Sequence, residues 1–426
     1  MFSGVASDER KGARSRSAPV HRPLRGLTPG AVIRPAPPPT PPPPPPTPQD
    51  IRNAIPDHCW KRNPLTSFAY LARDLGVVAG LVAAVARLAP LAAALPGPQG
   101  LVASIALWTT YAIAQGTMFW ALFVVGHDCG HQSFSNDKRL NDFVGHLVHS
   151  SILVPYHGWR VSHRAHHANH GHVENDESWV PFARSVYAGI DRATRLVRYV
   201  PLLSLLLYPV YLLRGSPGKE GNHLNPDDRL FTPSERPLVV MTNVHLALWA
   251  GVLAVATAKL GLAPMALLYW APYVVFVAWL DFVTYMHHHG PEGTDGNGSD
   301  AERVPWYRGD EWTYMRGGLS TLDHDYGLLN HIHHDIGTHV VHHLFPQIPH
   351  YNLCEATEAV KPVLGPYYRE PVKSGPLPFG RLWRTFSNAQ RRDHFVDDSG
   401  DIVFYQTDPE LISDPGKRTG LMTGAV

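Results

Sequence analysis

The sequence predicts an all-α membrane protein: four transmembrane helices arranged as two hairpins, with interfacial helices and a cytoplasmic or stromal cap that holds a histidine-rich metal site. Three observations lead there. Four apolar segments are each long enough to cross a bilayer, which takes about 20 residues. Histidine accounts for 26 of the 426 residues, and it is clustered, with ten between His127 and His172 and eleven between His287 and His350. The clusters flank the apolar segments and do not run through them. The formal net charge of +1 gives no support to nucleic-acid binding. The three cysteines, Cys59, Cys129 and Cys354, have no zinc-ribbon or redox spacing, which argues against a disulfide framework.

Taken in order, residues 1–49 read as a targeting and spacer region. Arg10, Lys11, Arg14, Arg16, Arg22, Arg25 and Arg34 face only two acids, Asp8 and Glu9, and no long apolar core is present. A basic, serine-containing, acid-poor start suits an organelle transit peptide, with a merely disordered tail as the alternative. Pro35–Pro48 is nearly all proline and reads as an extended spacer. The body of the chain is expected over 50–409, with a flexible tail over 410–426.

The first span is expected over Leu75–Leu95, the second over Leu101–Val125, the third over Leu238–Leu260 and the fourth over Pro264–Met286. Arg87 and Pro90 make the first the least clean, and Gly97-Pro98 and Gly261–Pro264 supply the hairpin turns. Phe143–Val154 is too short to span, and Leu196–Leu213 is interrupted by Pro201 and Pro209, so both read as interfacial helices. Parity agrees: clusters that build one site must lie on one membrane face, and an even number of spans must separate them. Arg52, Lys61, Arg62 and Arg73 before the first span put that face on the cytoplasmic or stromal side.

Three clusters carry the chemistry. His127 and His131 are four apart, a spacing that puts both imidazoles on one helical face. His163, His166 and His167 repeat offsets of 0, 3 and 4, and so do His339, His342 and His343. One HxxxH pair is often structural or accidental, but three clusters on one predicted face point to metal. Eight imidazoles exceed the roughly four to six ligands of one ion, so they suit two. Zinc is redox-inert and would imply hydrolysis. A zincin-like reading of His127-Asp128-x-x-His131 leaves at least five histidines idle, whereas redox iron with oxygen explains more of the sequence.

The boxes HxxxH, HxxHH and HxxHH, in this order, resemble those of the membrane fatty acid desaturase family. The likeness extends to HDCGHQSFS at His127–Ser135, PYHGWRVSHRAHHANHGHVENDESWVP at Pro155–Pro181, THVVHHLFPQIPHYNL at Thr338–Leu353 and DIRNAIPDHCWKRNPLT at Asp50–Thr66. These strings look like the omega-3 acyl-lipid desaturases of plants and algae, of the plastid type, from about Asp50 to Pro409. The resemblance implies a di-iron centre, O2 as co-substrate, and the eight box histidines as ligands. It also implies a ninth ligand near the end of the fourth span, where His287 aligns best and His289 next. Asp128, Glu174, Asp176 and Asp335 are candidates to orient ligating rings, as are Asp323 and Asp325. His170 and His172 follow the second box, with a supporting or surface role as the plainer reading. His146 and His149 read as packed or snorkelling side chains, and Cys129 as a small packed residue.

The implied reaction removes two hydrogens from adjacent methylenes of a membrane-lipid acyl chain, at the omega-3 position. No haem-binding HPGG segment is seen, so the electron donor is expected to be separate: ferredoxin in a chloroplast membrane, or cytochrome b5 at the endoplasmic reticulum. Lys138, Arg139, Arg160, Arg164, Arg308 and Arg316 could dock it, or simply face headgroups. Two rival functions remain at this point. One is a hydroxylase or acetylenase using the same centre. The other is a membrane metal transporter, which the scarcity of charge inside the spans disfavours.

Overall fold

The computed structural model describes residues 46–289, 303–373 and 375–411, which belong to one compact, mostly helical unit. The expected transit region up to residue 45 and the tail beyond residue 411 lie outside the described residues.

Helix α1 (Pro48–Ala54) starts at a capping box in which Thr47 and Asp50 satisfy each other's backbone N–H groups. Its Ile51 packs with Leu353 and Val360 of α15, described below. Helix α2 (Pro64–Ala93) begins eleven residues earlier than the expected first span, because Asn63 caps it by accepting from the N–H groups of Leu65 and Thr66. Pro90 lies inside it. The turn to α3 (Pro98–His131) passes through Gly97 at φ 58°, a left-handed conformation that suits glycine.

At 34 residues, α3 is about 50 Å long and carries the first histidine box at its end. Every residue from Gln115 to Cys129 is buried, so α3 is the central column. Helix α4 (Lys138–Ser151) lies against it. There Gly126 leaves room for the ring of His149, and His149 Nε2 meets the Phe123 carbonyl at 3.0 Å. The expected packed role of His149 is thus seen. Phe143 and Leu147, on the other face of α4, are exposed.

Helix α5 (Tyr156–Asn169) carries the second box. Helix α6 (Arg184–Gly189) follows, and the segment expected to be interfacial, Leu196–Leu213, is split among the end of α7 (Arg192–Tyr199), α8 (Pro201–Ser204) and α9 (Tyr208–Arg214), with breaks where the prolines stand. Its outer face shows Leu196, Leu202, Leu206 and Leu213 to the surroundings. A two-residue hairpin of β1 (Gly215–Ser216) and β2 (Lys219–Glu220) follows.

Helix α10 (Arg236–Leu260) packs against α4 and α5 and leads into a second column made of α11 (Leu262–Met265), a π-helical turn at Ala266–Trp270, and α12 (Ala271–His288). The remaining elements are β3 (Trp306–Tyr307), paired antiparallel with β4 (Ile402–Val403), α13 (Tyr314–Gly318), α14 (His339–Leu344), α15 (His350–Leu364) and α16 (Phe379–Gln390).

Three helical stretches among the described residues are long and apolar enough to cross a membrane: Pro64–Ala93, Arg236–Leu260 and Leu262–His288. Only 6% of the most apolar stretch of α2 is buried, against 17% in Arg236–Leu260 and 39% in Leu262–His288. Such exposed apolar surface requires an apolar surrounding, and α2 is the outermost helix while α12 is an inner one. The expected second span, within α3, falls short on composition because Thr109, Thr110, Gln115 and Thr117 dilute it. It is long enough, and Gln115 and Thr117 are buried in it, Thr117 Oγ1 accepting from Trp279 Nε1 at 3.0 Å.

Candidate metal centre

Four helix ends converge on one buried layer of imidazoles. The last turn of α3 supplies His127 and His131, and the helix stops at Gln132, which adopts φ 61°. Helix α5 supplies His163, His166 and His167, and the short helix α14 supplies His339, His342 and His343. The Asp323 carboxylate holds the start of α14 by accepting the Val340 N–H at 2.8 Å and the Tyr368 hydroxyl at 2.7 Å. The end of α12 supplies His288.

These rings fall into two adjoining groups. In the first, one nitrogen from each of His127, His131, His163, His167 and His342 lies within 4.8 Å of all the others. In the second, the same holds for His166, His288 and His343. His339 joins the second group, its Nε2 being 3.3 Å from His288 Nε2. The groups touch where His167 stacks on His343 at 4.0 Å between centroids. Each group can hold one metal ion.

The donors fit a metal in another respect. Buried polar atoms without partners are rare in folded proteins. Here His131 Nε2, His166 Nε2, His342 Nε2, His288 Nδ1 and both nitrogens of His343 are buried and meet no protein hydrogen-bond partner. Burial, reinforced by the neighbouring imidazoles, keeps His163, His167, His342 and His343 well below the ordinary histidine value. They are therefore neutral at pH 7, the form a metal ion needs.

Each group has its own carboxylate support. Asp176, fully buried, accepts from His166 Nδ1 at 2.7 Å and His170 Nδ1 at 3.0 Å. Burial alone would raise its carboxyl, but the charge and hydrogen bonds of His166 and His170 hold it below the usual carboxylate range. That leaves His166 Nε2 facing the group. On the other side Asp128 Oδ1 lies 3.8 Å from His127 Nδ1, while Oδ2 accepts from His350 Nδ1 at 2.8 Å. His350 Nε2 is 3.2 Å from His334 Nδ1, and His334 Nε2 donates to Asp74 Oδ2 at 2.7 Å. This buried chain ties α2 to the first box. Its geometry holds His334 and Asp335 at φ 52° and 53°, a strained conformation for residues other than glycine.

The structure brings the eight box histidines together and places His288 beside them, where the sequence pointed to His287 or His289. His287 faces away: its Nδ1 donates to the Leu322 carbonyl at 2.6 Å, and the Tyr326 hydroxyl meets its Nε2 at 3.2 Å. Both ring nitrogens of His289 are also engaged, by the Tyr285 carbonyl and the Tyr405 hydroxyl. His288 occupies the place, one residue on from the expected position. Glu174 and Asp335 reach none of these rings. Glu174 pairs with Arg308 and His172, and Asp335 with His331. Asp325 is spent on the Gly327 N–H and the Asn330 amide. Lys138, Arg164 and Arg316 are each ion-paired with a neighbouring acid, Asp142, Glu235 and Glu311. Sequence reasoning missed His288 and the chain Asp74–His334–His350. The only signal for the latter was their place within the second histidine-rich stretch.

A cavity opens beside both groups. Its walls include His163, His166, His288 and His339. Its α3 wall is Val124, Phe123 and Trp120, and elsewhere it is lined by Trp179, Tyr208 and Tyr285 and by the polar side chains of Arg198, Asp281, Gln390 and Asp393.

Comparison with known proteins agrees with this arrangement. A family model described as fatty acid desaturase matches residues 103–373. A model for a domain of unknown function (DUF3474) matches residues 36–83. The temperature-sensitive sn-2 acyl-lipid omega-3 desaturase (ferredoxin), chloroplastic, of Arabidopsis thaliana is 54% identical over 87% of this chain and 79% of its own length. The chloroplastic omega-3 fatty acid desaturase of Brassica napus is 56% identical over 85% of this chain and 84% of its own length. The endoplasmic reticulum omega-3 fatty acid desaturase of Vigna radiata is 54% identical over 86% of this chain and 90% of its own length.

Proposed function

The chain belongs to the fatty acid desaturase family, and from that membership we propose that it is an O2-dependent omega-3 desaturase of acyl chains in membrane lipids. The observation that carries the reading is the pair of adjoining imidazole groups beside a mainly apolar cavity. His127, His131, His163, His167 and His342 would hold one iron ion, and His166, His288, His339 and His343 the second. A di-iron pair supplies the oxidising power toward O2 and unactivated C–H bonds that protein side chains lack.

The chain's own residues do the rest. Box histidines set on helix ends and braced by Asp176 fix where the reaction takes place. Trp120, Phe123, Val124 and Trp179 give the acyl chain an apolar bed and exclude water. The polar side chains of Arg198, Gln390 and Asp393 suit the ester linkage of a lipid.

The four-helix arrangement, with α3 as the second span and the histidine layer on the cytoplasmic or stromal side, belongs to this proposal. So do residues 1–49 as a transit peptide. The protein would sit in a chloroplast membrane and take electrons from ferredoxin, as the name of the Arabidopsis relative says of that enzyme. The endoplasmic reticulum with cytochrome b5 is the alternative, since a relative of equal identity is named for that membrane.

The test is expression of the full chain in yeast with ferredoxin and its reductase, fed linoleate. Appearance of alpha-linolenate, abolished in His163→Ala, is the expected result. A hydroxylated or acetylenic product would move the chain to a sister activity. Absence of any oxidised lipid, from protein present in the membrane and loaded with iron, would refute the reading.

A further inference from the structure

The lining of the cavity stops at a definite depth on two helices. On α3 the lining residues are Val124, Phe123 and Trp120, and no residue of α3 before Trp120 takes part. On α12 the lining begins at Leu280. Trp120 precedes His127 by seven residues (127 − 120), and Leu280 precedes His288 by eight (288 − 280). At 1.5 Å per residue both helices therefore stop contributing about 10–12 Å from the imidazole layer.

Packing explains the stop. Beyond Trp120 a Cβ on Gly116 would sit 2.5 Å from Val275 Cβ and 2.6 Å from the Pro272 carbonyl, so α3 and α12 meet backbone to backbone. Trp279 bonds across to Thr117, and Phe276 is fully buried against Phe123. The indole of Trp120 is itself held, stacked on Phe123 at 5.3 Å and edge-on to His333. Once the imidazole and the indole have taken their share of that distance, the α3 wall has room beside it for only a short run of methylenes. Its own side chains, Val124, Phe123 and Trp120, are apolar, whereas Arg198, Asp281 and Asp393 line other parts of the cavity.

We propose that Trp120 is the floor against which the methyl end of the acyl chain comes to rest, so that the position of the new double bond is measured from that end. The inference rests on the desaturase reading above. A chain entering methyl end first stops at the indole, which places carbons only a few bonds from the methyl beside His163 and His339. The remaining lining includes the charged side chains of Arg198 and Asp393, which suit the carboxyl side of the chain and not its methyl end. Trp120 would thus act on regiochemistry while taking no part in the chemistry itself.

The experiment uses the full chain in yeast with ferredoxin and its reductase. Cells are fed linoleate or its homologue two carbons longer on the carboxyl side, and the products are located by mass spectrometry of double-bond adducts. The wild type is expected to place the new bond at the same distance from the methyl end in both. Trp120→Ala is expected to move it at least one carbon away from the methyl end in most of the product, and Trp120→Phe to stay near the wild type. A wild-type bond at constant distance from the carboxyl end overturns the inference and leaves the desaturase reading standing. So does an unchanged bond position in Trp120→Ala. Should the Ala variant be inactive, Trp120→Leu carries the same test. If both are inactive while retaining iron, the role is structural and the proposal falls. A wild type with no product at all is a failure of the parent reading.

Discussion

The two imidazole groups are built from the same residue type but held in different ways. The first draws on three segments, and its rings stand at helix spacings: His127 with His131, His163 with His167, and His342 between them. Its carboxylate, Asp128, sits 3.8 Å from His127 and makes its short bond to His350 instead. The second group takes His166 from α5 and His288 from α12 as single rings beside His339 and His343 of α14, and Asp176 bonds one of its rings directly. Rings that share a helical face are positioned by the backbone. A ring supplied singly, as His166 is, depends on a side-chain brace.

That contrast can be broken at its largest effect by comparing neighbours on α12. His288→Ala should lower linoleate conversion by roughly 100-fold or more, exceeding the ~10–100-fold cost of losing an outer brace, with iron content falling toward half. His287→Ala, which removes the hydrogen bonds to Leu322 and Tyr326 and a ring stack on His339, should keep the iron. Equal iron loss in both variants would return His287 to the ligand set.

A smaller effect sharpens the difference between braces. Asp176→Asn should weaken metal retention by roughly 10–100-fold, measured by chelator competition. Asp128→Asn should cost less metal and more stability, because its strong bond is to His350. Matching chelator curves for the two would mean that both groups depend on their braces alike.

Smaller again, Asp74→Asn disrupts the buried chain at the end remote from the metal. The variant should lose about 1–3 kcal/mol of stability through the buried bond to His334, with iron content unchanged. A loss of iron would show that the chain positions His127 across its whole length.

The last effect is nil at neutral pH. His163, His167, His342 and His343 are depressed in the folded state, so the unfolded chain takes up protons first as pH falls. Metal-free protein should then keep its stability above about pH 6.5 and lose it progressively below. A thermal-unfolding series in lipid nanodiscs that stays flat down to pH 5 would contradict the neutral assignment.

The same contrast governs what could be read from the sequence. Spacings of three and four announce shared helical faces, so the boxes on α3, α5 and α14 were legible from residue numbers alone. So were the hairpin turn at Gly97 and the breaks at Pro201 and Pro209. What stayed hidden depends on contacts between distant residues. Asp74 meets His334 across 260 positions, and Asp128 meets His350 across 222. Nothing local separates buried Asp176 from exposed Glu174, two residues apart. His287, His288 and His289 are adjacent, so only the rotation of α12 decides which faces the layer. Of the polar residues that take α3 below the composition of an ordinary span, Thr117 is likewise explained only by a distant partner, Trp279.

That rotation has a source some way off. The π-helical turn at Ala266–Trp270 holds one residue more per turn than the α-helix it interrupts, which turns everything after it by about 100°. It acts as an indexing step for the column, setting which of three consecutive histidines arrives at the layer. Point substitutions there leave the count unchanged and should be tolerated. Deletion of a single residue within the turn should close it to an ordinary α-helical turn and leave His288 at the layer, whereas deletion of one residue downstream, between Ala271 and Tyr285, should hand its place to His289. Along this helix, insertions and deletions would be under far stricter selection than the identities of the residues themselves.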